Sequence, residues 1–136
     1  MSTGFKISLF LHILSVVVAF APAILTVVPG GRDGALGVVE RAGRTVYSPA
    51  LILAGLFGIG CIFSSSVGGV RLYDFSDTWV SLALVVWVAM NGVFHALVLA
   101  GQRQGDERKV VNGEAIMTVL LIVMVYLMIW KPGGGF

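Results

Sequence analysis

The sequence has little charge, a single cysteine and only two histidines. Charged residues make up 12% of its 136 residues, whereas a soluble domain typically carries about 25%. Because Cys61 has no second cysteine to pair with, an intramolecular disulfide and a cysteine-based zinc site are excluded, and no metal site is predicted. Nine Lys and Arg spread along the chain form no basic patch, so we expect no nucleic-acid partner.

The sequence also lacks a recognisable catalytic constellation. It has no nucleophile with a base at a known spacing and no glycine-rich phosphate loop that follows a strand. The stretch GLFGIG, residues 55–60, imitates a glycine fingerprint, but it lies inside an apolar run. We therefore predict no catalytic residues and expect the chain not to be an enzyme.

Long apolar runs are what the sequence does contain. A bilayer core is about 30 Å thick, and a helix crosses it in about 20 residues. Four runs have this length, at residues 5–28, 49–70, 77–101 and 113–131, and the loops between them are too short for a soluble domain. The predicted fold class is all-α: one domain, residues 1–136, with four transmembrane helices packed as a bundle, and the lipid bilayer is its expected partner.

Small residues in the second run predict close helix packing. Ala54 and Gly58, like Gly60 and Ser64, lie four residues apart, and such pairs let helix backbones approach each other. This favours a central place for the second helix. In the first run, Pro22 predicts a kink whose freed carbonyl a neighbouring hydroxyl satisfies.

The basic residues are unevenly divided between the two sides of the predicted bundle. Six lie in loops one and three: Arg32, Arg41, Arg44, Arg103, Arg108 and Lys109. Three lie at the termini and in loop two: Lys6, Arg71 and Lys131. Because cytoplasmic loops are enriched in Lys and Arg, this bias predicts that both termini are outside. Trp79, Tyr126 and Trp130 fit an aromatic belt on that outer side.

The two histidines, His12 and His95, lie in the first and third predicted helices. Two ring nitrogens that bind one haem iron lie about 4 Å apart, whereas the helical rise separates these residues by ~17 Å in depth. One b-type haem held by both is therefore not favoured, and no cofactor is assigned. A haem with His12 as its single axial ligand remains an alternative.

His12 has two further interpretations. An ionisable residue inside a membrane span is a functional-site hypothesis by default. His12 is predicted near the depth of Ser64, Ser65, Ser66 and Tyr126, and it would form a polar cluster with one of the serine hydroxyls and Tyr126. Alternatively, its imidazole only hydrogen-bonds a neighbouring helix and holds the bundle together.

A second set of polar candidates lies in the third and fourth helices. Trp87, Asn91 and His95 recur every fourth residue and therefore share one helix face. We expect Asn91 to face another helix, within the bundle or in a partner subunit, with the glycines of helix two as the favoured receiving surface, and His95 to be drawn inward on the same face. Glu114 either pairs with His95 or stabilises the start of a helix that Asn112 caps.

Three stretches carry a resemblance: LFLHILSVVVAFAPAIL at residues 9–25, SPALILAGLFGIG at 48–60 and YLMIWKPG at 126–133. They resemble a bacterial group of four-helix integral membrane proteins of unassigned function, which implies a bacterial inner-membrane location. More distantly, the chain is similar to the copper-resistance D domain and to the four-helix membrane protoporphyrinogen oxidases. That similarity implies copper or haem chemistry at His12. The chain departs from both in lacking a Met-rich copper motif and a second histidine at matching depth.

We therefore expect a non-enzymatic accessory or interaction subunit of a membrane assembly, bound to other membrane subunits or to itself. Two alternatives stay open. One is a haem- or copper-linked membrane redox protein that uses His12. The other is a small oligomeric transporter with a polar route near Asn91, His95 and Glu114.

Overall fold

The computed structural model of the chain describes residues 2–27, 37, 41–67 and 70–132. Apart from one two-stranded hairpin, the regular elements are helical: α1 (Thr3–Val27), α2 (Gly43–Ser64), α3 (Thr78–Gln104) and α4 (Glu107–Trp130), with β1 (Ser66–Val67) and β2 (Val70–Arg71) between α2 and α3. All four helices are long and apolar enough to cross a membrane. The prediction of an all-α chain with four such helices is confirmed.

Helix α2 ends earlier than its apolar run predicts. The helix stops at Ser64, and the hydroxyl of Ser65 donates to the carbonyl oxygen of Ile62 at 2.7 Å. The backbone N–H of Leu72 then donates to the carbonyl oxygen of Ser65 at 2.7 Å, which closes the loop around the antiparallel pair β1–β2. The predicted second span to Val70 therefore includes a hairpin. Val28, the predicted end of the first span, and residues 68–69 lie outside the described residues.

Helix α4 begins at Glu107, before the predicted start at Gly113. Gly105 has a left-handed φ of 66°, which ends α3 with a sharp turn. The side chain of Asp106 then caps α4, because its Oδ1 accepts from the backbone N–H of Lys109 at 3.0 Å. The prediction that Asn112 caps this helix is therefore wrong.

The four helices pack in the order α2, α1, α4, α3. Helix α1 contacts α2 along most of its length and α4 on another face, and α4 also contacts α3. Helix α2 touches α3 only lightly, so its predicted central place is not observed. The buried core between the helices is formed mainly by large apolar side chains: Phe20, Leu51, Met90, Phe94, Val98, Leu99 and Met117.

Neighbouring helices run antiparallel, so the bundle has two distinct ends. The Ser2 hydroxyl donates to the carbonyl oxygen of Ser64 at 3.2 Å, and the Lys131 ammonium donates to the Tyr73 hydroxyl at 2.9 Å. The start of α1, the end of α2, the hairpin and the end of α4 therefore meet at one end, which we call the hairpin end. The opposite end contains Gly105 between α3 and α4, and we call it the turn end.

The outer surface of the bundle is apolar on every helix. Large hydrophobic side chains are exposed on α1 (Ile7, Phe10, Ile13, Val17), α2 (Ile52, Leu53, Leu56, Phe63), α3 (Leu82, Val85, Val88) and α4 (Val119, Ile122, Ile129, Trp130). On α1 these positions recur at spacings of three and four residues, which is one face of a helix. The polar contacts described below lie mostly between helices or at the two ends.

Candidate functional site

His12 contacts the backbone of α2. Its Nδ1 lies 2.6 Å from the carbonyl oxygen of Ala54, and its ring packs on Gly58, where a Cβ would lie 3.3 Å from Nδ1. Because a carbonyl oxygen only accepts hydrogen bonds, Nδ1 carries the proton. In the neutral ring, Nε2 then has a free lone pair. The imidazole thus bonds a neighbouring helix, as the second of the two interpretations of His12 predicts.

The serines predicted beside His12 have other partners. Ser64 donates to the carbonyl oxygen of its own helix at Gly60, at 2.5 Å. Ser65 is buried and accepts from the backbone N–H of Tyr73 at 3.2 Å, while Ser66 is exposed in β1. The serines therefore order the end of α2 and the hairpin, and within the described part of the chain no contact joins them to His12.

Tyr126 also lies apart from the imidazole. Its side chain is 50% exposed, and its ring stacks on Trp130 with the centroids 5.0 Å apart. The predicted polar cluster of His12, a serine and Tyr126 is therefore not brought together in the described part of the chain.

Trp87 makes a contact with α2 that closely matches that of His12. Its Nε1 donates to the carbonyl oxygen of Leu51 at 2.9 Å, and its indole covers Gly55 so tightly that a Cβ there would overlap the ring. In both cases the ring donates to the carbonyl four residues before the glycine on which it lies. We call these two arrangements the ring–glycine contacts: His12 on Gly58 and Trp87 on Gly55. Sequence reasoning found both rings and both glycines but did not pair them.

Asn91 satisfies its amide within α3. Its Nδ2 donates to the carbonyl oxygen of Trp87 at 2.9 Å, and the residue is partly buried. Asn91 was expected to pack on the glycines of α2. Trp87, one turn earlier on α3, packs there instead. That expectation is therefore corrected: Trp87 is the member of the stripe that reaches the glycines.

His95 connects α3 to the start of α2 near the turn end. Its Nε2 lies 3.1 Å from the hydroxyl oxygen of Ser48, and the rest of the side chain is exposed. His95 belongs to a π-helical segment, Phe94–Leu99, and Ser48 directly follows a π-helical turn, Gly43–Tyr47. Such segments are rare and frequently lie at functional sites.

The two imidazoles contact different parts of α2. His12 bonds Ala54 and His95 bonds Ser48, and these positions are about 9 Å apart along the helix axis at about 1.5 Å per residue. Nitrogens that share one iron lie about 4 Å apart. The structure therefore does not direct the two rings toward one haem iron.

Glu114 is the buried charged residue of the bundle core. It is 2% exposed, and its Oε1 has no hydrogen-bond partner among the described residues. It shares a face of α4 with Val110 and Met117, which belong to the buried core. No described contact joins it to His95, and it lies two turns inside the helix rather than at its start, so neither predicted role is observed.

Thr118 connects α4 to α1 one turn further along. Its hydroxyl lies 2.9 Å from the carbonyl oxygen of Glu114 and 3.3 Å from that of Ala23. A hydroxyl was expected at the carbonyl freed by Pro22, which is that of Val18 in a regular helix. The Thr118 hydroxyl instead bonds the carbonyl of Ala23, the residue that follows Pro22.

The hairpin end contains an aromatic and basic cluster that sequence reasoning did not assemble. The Lys131 ammonium donates to the Tyr73 hydroxyl and lies 4.6 Å from the Tyr73 ring centroid. Tyr73 and Trp79 form an edge-to-face pair with centroids 5.4 Å apart. The aromatic-belt prediction names Trp79 and also Trp130, which directly precedes Lys131 in the sequence. These residues were the signal in the sequence for this cluster.

Asp74 orders the turn before α3. Its Oδ1 accepts from the backbone N–H of Ser76 at 3.0 Å and from the Ser76 hydroxyl at 2.9 Å. These two bonds, and to a smaller extent Arg71, lower the pKa of the Asp74 carboxyl below its ordinary value. The turn is thus held by an ionised carboxylate at the surface.

The described residues hold no group of three or more His, Cys, Asp or Glu side chains placed to bind a metal ion together. In comparisons with known proteins, no family model, no curated protein and no solved structure matches the chain. The resemblance to four-helix membrane proteins stays a prediction.

Proposed function

We propose that this chain is an integral protein of a bacterial inner membrane, with four transmembrane helices, that acts as a non-enzymatic accessory or interaction subunit. Its polar side chains mainly hold the bundle together, and one outward face of α3 binds a further membrane helix. That helix belongs to another subunit or to a second copy of the chain.

The membrane location is supported by the distribution of apolar and polar groups. All four helices have the length and composition of spans, and each exposes large hydrophobic side chains. Monomeric soluble proteins rarely expose contiguous apolar patches above a few hundred Å². A bilayer accommodates such surfaces, while it penalises unsatisfied polar groups. The ring–glycine contacts satisfy two such groups between helices.

The orientation proposal is based on the charges at the two ends. The described basic residues of the turn end number five: Arg41, Arg44, Arg103, Arg108 and Lys109. Those of the hairpin end are Lys6, Arg71 and Lys131. By the positive-inside rule the turn end is cytoplasmic and the hairpin end, with both termini, is outside. The aromatic cluster of Tyr73 and Trp79 fits the outer membrane–water interface. Arg32 lies outside the described residues.

The observation that carries the interaction role is the exposure of His95, whose Nε2 also contacts Ser48 of α2. The imidazole is exposed within a helix that is otherwise apolar enough to span a membrane. Gly92 lies one turn before His95, and a Cβ on this glycine would meet nothing within 4 Å. Small residues permit close approach of a second helix, and a polar side chain beside them supplies an interhelical hydrogen bond.

This role is testable by native mass spectrometry of the protein extracted in native-lipid nanodiscs. We expect the wild type to carry a second membrane polypeptide, and Gly92→Leu and His95→Leu to release it. Val119→Leu on the exposed face of α4 is the matched control and should retain the partner. A wild-type protein that is monomeric and without a partner in this experiment would contradict the proposed role.

A redox protein that uses His12 is the second candidate, and one observation favours it. Metal-ligating histidines usually donate their other ring N–H to a backbone carbonyl or carboxylate, as Nδ1 of His12 does to Ala54. The free Nε2 thus fits a single axial haem ligand. Haem would supply one-electron chemistry, and an absorption spectrum of the purified protein tests for it. A Soret band present in the wild type and lost in His12→Gln would favour this candidate over the accessory role.

A further inference from the structure

Glu114 presents a physical problem that the accessory role does not solve. The residue is 2% exposed, and its Oε1 is buried without a hydrogen-bond partner among the described residues. Transferring an ionised carboxylate from water to an apolar environment costs far more than transferring the neutral acid. A buried carboxyl group in a membrane span therefore needs a cationic partner, a bound cation or a proton.

The chain offers no basic side chain inside the spans to pair with Glu114. The sequence has no Lys or Arg in residues 7–31, 45–70, 72–102 and 110–130. The titratable groups on the helices around α4 are Lys6 and His12 on α1, His95 and Arg103 on α3, and Arg44, Tyr47 and Cys61 on α2. The two histidines bond α2, at Ala54 and Ser48, and the arginines are exposed at the turn end.

The seam between α3 and α4 beside Glu114 is tightly packed. A Cβ on the adjacent Gly113 would lie 2.7 Å from Cγ2 of Val98 and 3.0 Å from Cβ of Leu97. Both neighbours belong to the π-helical segment Phe94–Leu99, in which Val98 is fully buried. The π-helical geometry departs from the regular backbone pattern of α3 at the level of the buried acid.

We propose that Glu114 is an intramembrane proton-binding site: its carboxyl group holds a proton at neutral pH and exchanges it when the α3–α4 seam at Phe94–Leu99 opens. The ligand of this site is a proton, and the π-helical segment is the movable wall. This inference requires the proposed membrane location but not the accessory role. If the chain is a small transporter, Glu114 supplies the acidic group of its polar route. Asn91 and His95, the other residues named for that route, bond Trp87 and Ser48 instead.

The protonated state is testable by infrared spectroscopy in lipid nanodiscs. A protonated carboxyl group has a C=O stretching band that moves with ¹³C labelling of the carboxyl carbon and with transfer into D₂O. The chain has three glutamates, Glu40, Glu107 and Glu114. We expect ¹³C-glutamate-labelled wild type to show this band at neutral pH, Glu114→Gln to lose it, and the exposed-site control Glu107→Gln to keep it.

The exchange route is testable with the same band. Val98→Ala loosens the seam and should accelerate the D₂O shift at least several-fold, whereas Val119→Ala, on an exposed face of α4, should leave it unchanged. Absence of the acid band in labelled wild type would overturn the site, and this measurement does not depend on any variant folding. Equal exchange rates in both valine variants would overturn the seam as the route. Flotation of the protein with liposomes tests the membrane location separately. Failure of the proton site can therefore be distinguished from failure of the membrane location.

Discussion

Nδ1 of His12 lies 2.6 Å from the carbonyl oxygen of Ala54, and this bond joins α1 to α2 across their common interface. The acceptor is a backbone atom, and α2 contributes no polar side chain to this contact. A carbonyl oxygen has two lone pairs, so it accepts from the imidazole while it remains part of its own helix. The contact therefore needs a donor on α1 and free space at Gly58, but no complementary side chain.

Replacing His12 by Gln should have a small effect on stability. Glutamine retains an N–H donor, and interhelical hydrogen bonds in membranes are worth about 0.6 kcal/mol on average. We expect the free energy of unfolding in detergent to change by less than ~1 kcal/mol. His12→Leu, which has no donor, is the comparison and should be the less stable variant. A Gln variant that does not fold would show that the imidazole does more than bond Ala54.

Replacing Gly55 by Ala should destabilise the bundle, because the new Cβ would overlap the indole of Trp87. Overpacking of this kind typically costs about 1–3 kcal/mol. Gly92→Ala is the matched control, since a Cβ there meets nothing within 4 Å and alanine favours helix formation. Thermal unfolding of both variants in the same detergent measures the difference. Equal melting temperatures would contradict the Trp87 ring–glycine contact.

The proposed orientation predicts which introduced cysteines are labelled from outside the cell. In a Cys61→Ala background, Ser66→Cys at the hairpin end should react with a membrane-impermeant maleimide in intact cells. Gln104→Cys at the turn end should react only after permeabilisation. Both positions are exposed, so differences in burial do not explain the result. Labelling of position 104 alone in intact cells would reverse the orientation.

The turn held by Asp74 should lose order only in acid. The pKa of the Asp74 carboxyl is lower in the folded chain than its ordinary value of 3.8. The contribution of this carboxylate to stability is therefore present above pH 3.8 and is lost as the pH falls below that value, through the lowered pKa. Hydrogen exchange of the Ser76 amide, corrected for its intrinsic rate, should therefore accelerate in this acidic range. Asp74→Asn should show weaker protection at neutral pH and no such acid step. Wild-type protection that is constant through this range would rule out the Asp74–Ser76 bonds.

The length of the helices was predictable, but several of their ends were not. Apolar composition marks the part of a helix that suits a bilayer core, and α4 extends beyond that part into residues 107–112, of which Glu107, Arg108 and Lys109 are charged. The sequence did hold the signal, since Gly105 and Asp106 are a typical helix stop and helix cap. A hydropathy pattern does not register caps, so it predicts a loop across Gly105, Asp106 and the charged residues that follow them.

The contacts of the candidate residues were less predictable, for a physical reason. His12 and Trp87 bond backbone carbonyls, which are present at every position, so residue type does not show which carbonyl is the acceptor. His95 lies in a π-helical segment, Phe94–Leu99, whose hydrogen-bond pattern differs from that of a regular helix, and it bonds Ser48 of α2 while the residue stays exposed. The prediction that Trp87, Asn91 and His95 share one face assumed that α3 is a regular helix throughout.

The backbone acceptors of the ring–glycine contacts also decide how the interface tolerates mutation. Ala54 and Leu51 provide their carbonyl oxygens whatever side chain they carry, so many substitutions at these positions preserve the acceptor. At Gly55 and Gly58, by contrast, the absence of a side chain is the requirement, and the donors exist only on His12 and Trp87. The hydrogen bonds therefore leave the residue type at the two acceptor positions open, where burial restricts only the size of the side chain, and they restrict two glycines of α2, so compensating changes would arise in pairs of one ring and one glycine.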